Sequence, residues 1–560
     1  MKKKRLGDIL VESGKISHEV LMDSLKKQAM TGKRLGEILV ETGVVKEEDI
    51  LKVLELQLGI KRISLEFEEV QIEAIRRVPE RLSRKHSIMP VEIRGNNIVI
   101  VTSDPFNLMA DEDIRLASGM NLIKVLDTKD SILDSINKYY SKQMAEKVAS
   151  ELGAEAKAFD KTVKKEEVLE EASSDAPVVK LVDTIITNAV RMGASDIHIE
   201  PFEKDIRVRV RVDGELQNIL TVPKESQSTL TTRIKILSNM NIAEKRVPQD
   251  GRILKVIDNK KIDFRVSSLP TVNGEKVVIR ILSTSMGVMT KENLGMRKDD
   301  MEKLVKIMQN PYGIILVTGP TGSGKSTTLY TILSELNTID KNIITVEDPV
   351  EFMVEGINQV NVNTKAGMTF ASGLRSILRQ DPDIIMLGEI RDSETAEISI
   401  RAAITGHVVL STLHTNDAPS TIARLSDMGI EPYLVATSVT GVVAQRLVRK
   451  VCTHCSEKYE ANDFEKRVLG KDSFERVYLS KGEGCPLCNG TGYKGRIGIY
   501  EIMEVSRAMR EAVTLGETAD KIKDIAINEG MKTLNKACRE HVIEGVTTID
   551  ELMRVAYLRE

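Results

Sequence analysis

Tyr312-Gly313-Ile314-Ile315-Leu316-Val317-Thr318 runs without a break into Gly319-Pro320-Thr321-Gly322-Ser323-Gly324-Lys325-Ser326-Thr327. This junction decides the fold. The first half is continuously apolar, as a strand buried on both faces of a parallel sheet must be. The second half is a glycine-rich P-loop in the strand–loop–helix setting that gives the pattern its meaning. Its glycines let backbone N–H groups wrap a row of phosphates, Lys325 reaches the β- and γ-phosphates, and Ser326 ligates Mg²⁺. The helix that follows adds its positive end. Residues Gly319 to Thr327 are therefore assigned to ATP.

Downstream, Asp383-Ile384-Ile385-Met386-Leu387-Gly388-Glu389 is an apolar strand delivering a carboxylate at its C-terminal end, where open α/β sheets place ligands. Glu389 is the candidate for orienting or deprotonating an attacking water. Ile343-Ile344-Thr345-Val346-Glu347-Asp348 supplies a second acidic strand end through Glu347. His407 and His414 stand at the two ends of a further strand, Val408 to Leu413. A histidine beside Glu389 would sense the γ-phosphate; otherwise it belongs to the core or an interface.

Ahead of the P-loop, Ile206-Arg207-Val208-Arg209-Val210-Arg211-Val212 puts Ile and Val on one strand face and three arginines on the other. Adjacent cations repel unless an anion meets them, and a neighbouring subunit's triphosphate is one candidate. Cys452-x-x-Cys455 and Cys485-x-x-Cys488 are separated by 29 residues. Four soft thiolates suit a structural tetrahedral Zn²⁺.

At 560 residues the chain exceeds one hydrophobic core. Its 80 Lys+Arg against 83 Asp+Glu leave a net charge of -3, without the basic excess of a dedicated nucleic-acid binder. The basic start Met1 to Arg5 runs into Gly7, Asp8 and Glu12 rather than an apolar segment, and no stretch reaches membrane-spanning length. The reading is a cytoplasmic protein that meets a membrane only through partners. Patterns divide it into residues 1–140, a charged linker 141–176, an α/β unit 177–288, and a core 289–560. The last contains a Cys/Gly-rich segment 452–498 and a helical tail 505–560. The N-terminal part holds a tandem repeat, 5–28 and 34–57, each copy reading as a helical hairpin.

The P-loop, Thr345-Val346-Glu347-Asp348-Pro349-Val350-Glu351, Leu387-Gly388-Glu389-Ile390-Arg391-Asp392 and Gly406-His407 to His414-Thr415-Asn416 together resemble the type II secretion/type IV pilus ATPase family. The resemblance implies a multidomain α/β chain. A RecA-like ATPase core would follow a smaller PAS-like α/β domain and an N-terminal domain of helical repeat plus α/β unit, with a tetracysteine zinc insert. It also implies a homo-hexameric motor acting on an inner-membrane pilus platform protein and cytoplasmic accessory proteins, without a nucleic-acid substrate. Glu389 would be the catalytic glutamate, and Arg209 and Arg211 would contact the γ-phosphate. Gly388 departs from the usual Asp before the catalytic Glu. The cysteines and the long N-terminal region resemble extension rather than retraction ATPases; a type II secretion motor is the alternative.

The repeat resembles the paired motif of domains that bind cyclic di-GMP. One copy carries Arg5, Leu6, Gly7, Leu10, Gly14, Leu25 and Gln28; the other carries Arg34, Leu35, Gly36, Leu39, Gly43, Leu54 and Gln57. By that resemblance the arginines meet guanine or phosphate, the glycines permit close approach, and Leu10, Leu25, Leu39 and Leu54 pack on the ligand. A docking module built of helical hairpins is the other reading.

Overall fold

The computed structural model describes residues 6–31, 34–137, 139–140, 177–283, 290–472 and 474–556. Arg5 and the segment 141–176 lie outside the described residues. Each repeat copy is a helix pair: Leu6–Glu12 with His18–Thr31, then Leu35–Glu41 with Glu47–Leu58. Gly14 and Gly43 follow the short helices at φ 70° and 69°, a left-handed turn that costs any other residue more. Leu10 and Leu39 are fully buried, in a core closed by Leu126 of the next unit. That unit is a sheet of β1 (Ile88–Arg94), β2 (Asn97–Thr102) and β3 (Asn121–Leu126).

The second α/β unit packs helices Pro177–Arg191 and Gln227–Leu237 into one core with six antiparallel strands. These are β4 (Asp196–Pro201), β5 (Asp205–Val212), β6 (Glu215–Pro223), β7 (Gln249–Ile257), β8 (Lys260–Thr271) and β9 (Gly274–Ser283), in the order β6-β5-β4-β9-β8-β7. On β5, Ile206, Val208 and Val210 are buried in that core, leaving the arginines on the other face. The β7–β8 turn falls on Asp258-Asn259, both left-handed, as a tight hairpin requires. The β8–β9 turn falls on Val272-Asn273, because Gly274 already pairs with Thr271.

The third sheet contains β10 (Gly313–Thr318), β11 (Ile343–Glu347), β12 (Asn358–Asn361), β13 (Ile384–Leu387), β14 (Val408–Leu413) and β15 (Val439–Val451). A small hairpin, β16 (Ser456–Glu460) and β17 (Tyr478–Gly482), precedes the last strand, β18 (Tyr493–Glu504). The order is β12-β11-β13-β14-β10-β15-β18, parallel except for the β15–β18 pair. Alternate residues feed two cores: Ile314 and Leu316 join Leu374 and Ile400, whereas Ile315 and Val317 join Leu329 and Leu333. That two-sided burial is why β10 reads as an unbroken apolar run.

Glu501 of β18 ties the tail to this sheet. Only 2% exposed, it accepts the N–H groups of Ala418 (2.7 Å) and Leu534 (3.2 Å), where helices Pro419–Asp427 and Leu534–Ile543 begin. Burial pushes its carboxyl up to about 6, against the opposing pull of those N–H groups. A raised folded-state pKa gives stability that is present below the ordinary value of 4.5 and lost as pH rises through about 6. Glu501→Gln removes this titration. The stability of wild type relative to the variant should therefore fall by about 2 kcal/mol between pH 4 and pH 7. Urea unfolding across that range measures it, and a pH-independent difference would refute the assignment.

Candidate nucleotide site and tetracysteine cluster

Gly319, Gly322 and Gly324 take φ of 146°, 78° and 89°, so the loop is built on left-handed turns. A Cβ on Gly319 would stand 2.5 Å from the Gln445 carbonyl and 3.0 Å from Arg446 Nη1, so only glycine fits. Pro320, Thr321, Gly322 and Ser326 are exposed at the mouth, Ser323 is buried, and Gly324, Lys325 and Thr327 are half-buried. Lys325 Nζ donates to the carbonyls of Gly319 (2.8 Å) and Pro320 (3.1 Å). Burial lowers its pKa, opposed by the nearby Glu389 carboxylate.

Glu389 stands just beyond the C-terminal end of β13. Its carboxylate pairs with Arg391 and lies 3.4 Å from His414 Nε2. His414 is held near by its neighbour: the Thr415 N–H donates to Thr318 Oγ1 at 2.9 Å, joining the ends of β14 and β10. His407 sits at the opposite end of β14, with Nδ1 2.9 Å from the Ala402 carbonyl, away from the P-loop. A Cβ on Gly388 would face the Glu347 backbone at 3.4 Å and the Phe370 ring at 3.6 Å, against β11.

Glu347 is 3% exposed and encased in donors: Tyr330 Oη, Thr345 Oγ1 (2.6 Å) and Gln359 Nε2 (3.3 Å). A carboxylate so saturated holds neighbouring elements in place; the open carboxylate at the strand ends is Glu389.

The arginines of β5 find partners within the chain. Glu200 of β4 receives Arg209 (2.7 Å) and Lys276 (2.9 Å), which hold its carboxyl below the ordinary range against the effect of burial. Arg211 lies 3.8 Å from Asp196, and Arg207 lies over the Phe202 ring. Carboxylates on the adjacent strand, Glu200 and Asp196, already relieve the repulsion between these cations without an external anion.

The four cysteine sulfurs lie within 4.8 Å of one another. Cys452–Cys485 and Cys455–Cys488 are 3.8 Å apart, and Cys485–Cys488 3.7 Å. A tetrahedron with Zn–S spokes of about 2.3 Å has edges of about 3.8 Å, so the cluster fits that ion. N–H groups of Gly484, Cys485 and Gly492 point at the sulfurs at 3.1–3.3 Å. Such donors stabilise thiolates.

In the repeat, Arg34 is exposed and pairs with Asp104 of the three-stranded unit. Gly14 and Gly43 have open space around them, and Leu25 is exposed. Leu6, Gln28, Leu35 and Gln57 are half-buried. Gly7 is covered by Leu21, and Gly36 faces Ile50. Leu10, Leu39 and Leu54 are buried in the core of the repeat, where they hold the helices together.

The family model described as "Type II/IV secretion system protein" matches residues 171–554. The chain belongs to this family. It is a P-loop ATPase with the multidomain α/β architecture expected of its sequence. The MshEN domain model matches residues 58–146. "Type IV pilus assembly ATPase PilB" of Myxococcus xanthus is 41% identical over 555 residues, 98% of each chain. "Type II secretion system protein E" of Pseudomonas aeruginosa is 47% identical over 413 residues, 74% of this chain and 82% of its own. The solved ATPase DotB of Yersinia pseudotuberculosis superposes with a TM-score of 0.52, covering 71% of this chain and 98% of its own at 20% identity, a likeness of fold.

Two residues of this secretion-family site escaped the sequence reading. Gln445 Nε2 donates to the Ser323 carbonyl at 2.7 Å, and Arg446 bonds the carbonyls of Gln445 (3.1 Å) and Asn416 (2.9 Å). Both lie on β15, remote in sequence from the loop they support. A polar Gln-Arg pair inside the otherwise apolar run Val442 to Val448 was the available signal.

Proposed function

We propose that the chain is a motor ATPase of type IV pilus assembly. It works as a homo-hexameric ring that hydrolyses Mg²⁺-ATP and drives an inner-membrane platform protein together with cytoplasmic accessory proteins. The observation that carries this reading is coverage: the Myxococcus pilus ATPase aligns over 98% of this chain, N-terminal repeat included, whereas the Pseudomonas secretion protein aligns over 74%. The higher identity of the latter, 47%, favours type II secretion as the second reading. Among the described residues no helix is long and apolar enough to cross a membrane, so the reading routes membrane contact through partners.

In this reading the P-loop N–H groups and Lys325 hold the phosphates, Ser326 holds Mg²⁺, and Glu389, steadied by Arg391 and His414, orients the attacking water. Arg209 and Arg211 would reach a neighbour's γ-phosphate only by exchanging their β4 carboxylates for it. The tetracysteine cluster holds structural Zn²⁺, and the repeat binds cyclic di-GMP around Arg34 and its counterpart Arg5, with the site's leucines supporting it from beneath.

In a host lacking its own pilus-assembly ATPase, the chain should restore surface pili. Glu389→Gln should bind ATP yet restore none, and Lys325→Ala should lose both binding and pili; pili from the Glu389→Gln variant would sink the catalytic assignment. Metal analysis of protein purified without chelator should give one zinc per chain. Stripping the zinc should unfold the region around 452–498, at a cost on the order of 10 kcal/mol for such sites; absence of zinc would refute the metal reading. Calorimetry on the full-length chain should show cyclic di-GMP binding at tens of micromolar or tighter, weakened about tenfold by Arg34→Ala. A flat titration would leave the repeat as a docking module.

A further inference from the structure

Tyr330 is buried on the helix Lys325–Leu336 that opens at the P-loop, and its hydroxyl is a junction. It donates to Glu347 Oε2 and accepts from the N–H groups of Glu351 (3.3 Å) and Phe352 (3.4 Å) and from Gln359 Nε2 (3.4 Å). The ring meets Phe352 edge-on, with centroids 5.4 Å apart. Gln359 completes the arrangement by donating to the Phe352 carbonyl (2.9 Å) and accepting from the Val354 N–H (2.8 Å). One phenol oxygen on the P-loop helix thus holds the loop that follows β11.

We propose that Tyr330 is a positioning residue that passes the placement of the P-loop helix to the 348–352 loop. The proposal rests on the reading that the P-loop takes ATP. A helix whose N-terminus is drawn to phosphate moves as a rigid rod, and a buried hydrogen-bond junction moves with it because breaking one costs more than shifting it. Glu347 fits this role: its charge is satisfied by groups from β11, β12 and the P-loop helix together, so it registers their relative positions.

The test uses the full-length chain carrying Tyr330→Phe, which keeps the ring and removes only the hydroxyl. Nucleotide affinity and KM should stay within about twofold while kcat falls about tenfold or more, the pattern of a group that acts after binding. Hydrogen exchange in 348–354 should respond to nucleotide in wild type and lose that response in the variant. Gln359→Met, at a half-buried position, cuts the same junction and should give the same signature if Tyr330→Phe fails to fold. The proposal is overturned if the variant keeps the wild-type exchange response, or if KM rises in step with the loss of kcat. Lys325→Ala stands apart as the control: if it still binds ATP, the P-loop reading fails, not the coupling.

Discussion

Arg446 carries a charge at 6% exposure beneath the phosphate loop, and much of the site is arranged around it. Burial pulls its pKa down, while the carboxylates of Glu501 and Asp417 push back. Its guanidinium bonds the backbone of β15 and the carbonyl of Asn416, two residues past His414. A buried donor left without its acceptor costs about 1–3 kcal/mol, and more when it is charged. This cation therefore fixes the loop after β14 relative to the strand under Gly319. Glu501, in turn, gathers the starts of two helices. Phosphate loop, His414 loop and helical tail share one electrostatic centre.

The second α/β unit meets this assembly through a hairpin tip. Asp213 accepts the Gly495 N–H at 2.8 Å and pairs with Arg496 at 3.2 Å, while Glu215 pairs with Arg554 at 2.6 Å. Exposed pairs of this kind are worth well under 1 kcal/mol each, so they set orientation rather than stability. The hairpin is the end of β5, and its orientation governs where Arg207, Arg209 and Arg211 lie.

The parts of the site legible in sequence were those whose chemistry is local. The P-loop, the Glu389 strand end and the cysteine pairs each declare themselves within a few residues, because phosphate and metal geometry dictate short spacings. What stayed hidden depends on contacts across long sequence separations. Arg446 reads as one charge on a strand until β15 is placed beside β10. Glu347 and Glu389 look alike as acidic strand ends, and only the donors around Glu347 separate them. The leucines of the repeat could equally have faced a ligand or a core. Period and spacing do not distinguish these, because both demand apolar residues on one helix face.

The tetracysteine cluster belongs to the same argument. Cys452 follows the last residue of β15, and the Cys485–Cys488 pair leads into β18. These strands form the one antiparallel pair of the sheet, in which Ala444 stands opposite Glu501 and Arg446 opposite Ile499. The cysteines close the far end of the hairpin that carries both buried charges, where the Cys452 N–H already bonds the Gly492 carbonyl at 2.9 Å. His454, between the first two cysteines, stacks on Phe67 of the N-terminal unit with centroids 3.6 Å apart. The cysteine pairs and the Cys452–Gly492 backbone bond join β15 to β18 at that end. Arg446 and Glu501 stand two register positions apart on this strand pair, so the pairing of β15 with β18 also sets the place of both buried side chains.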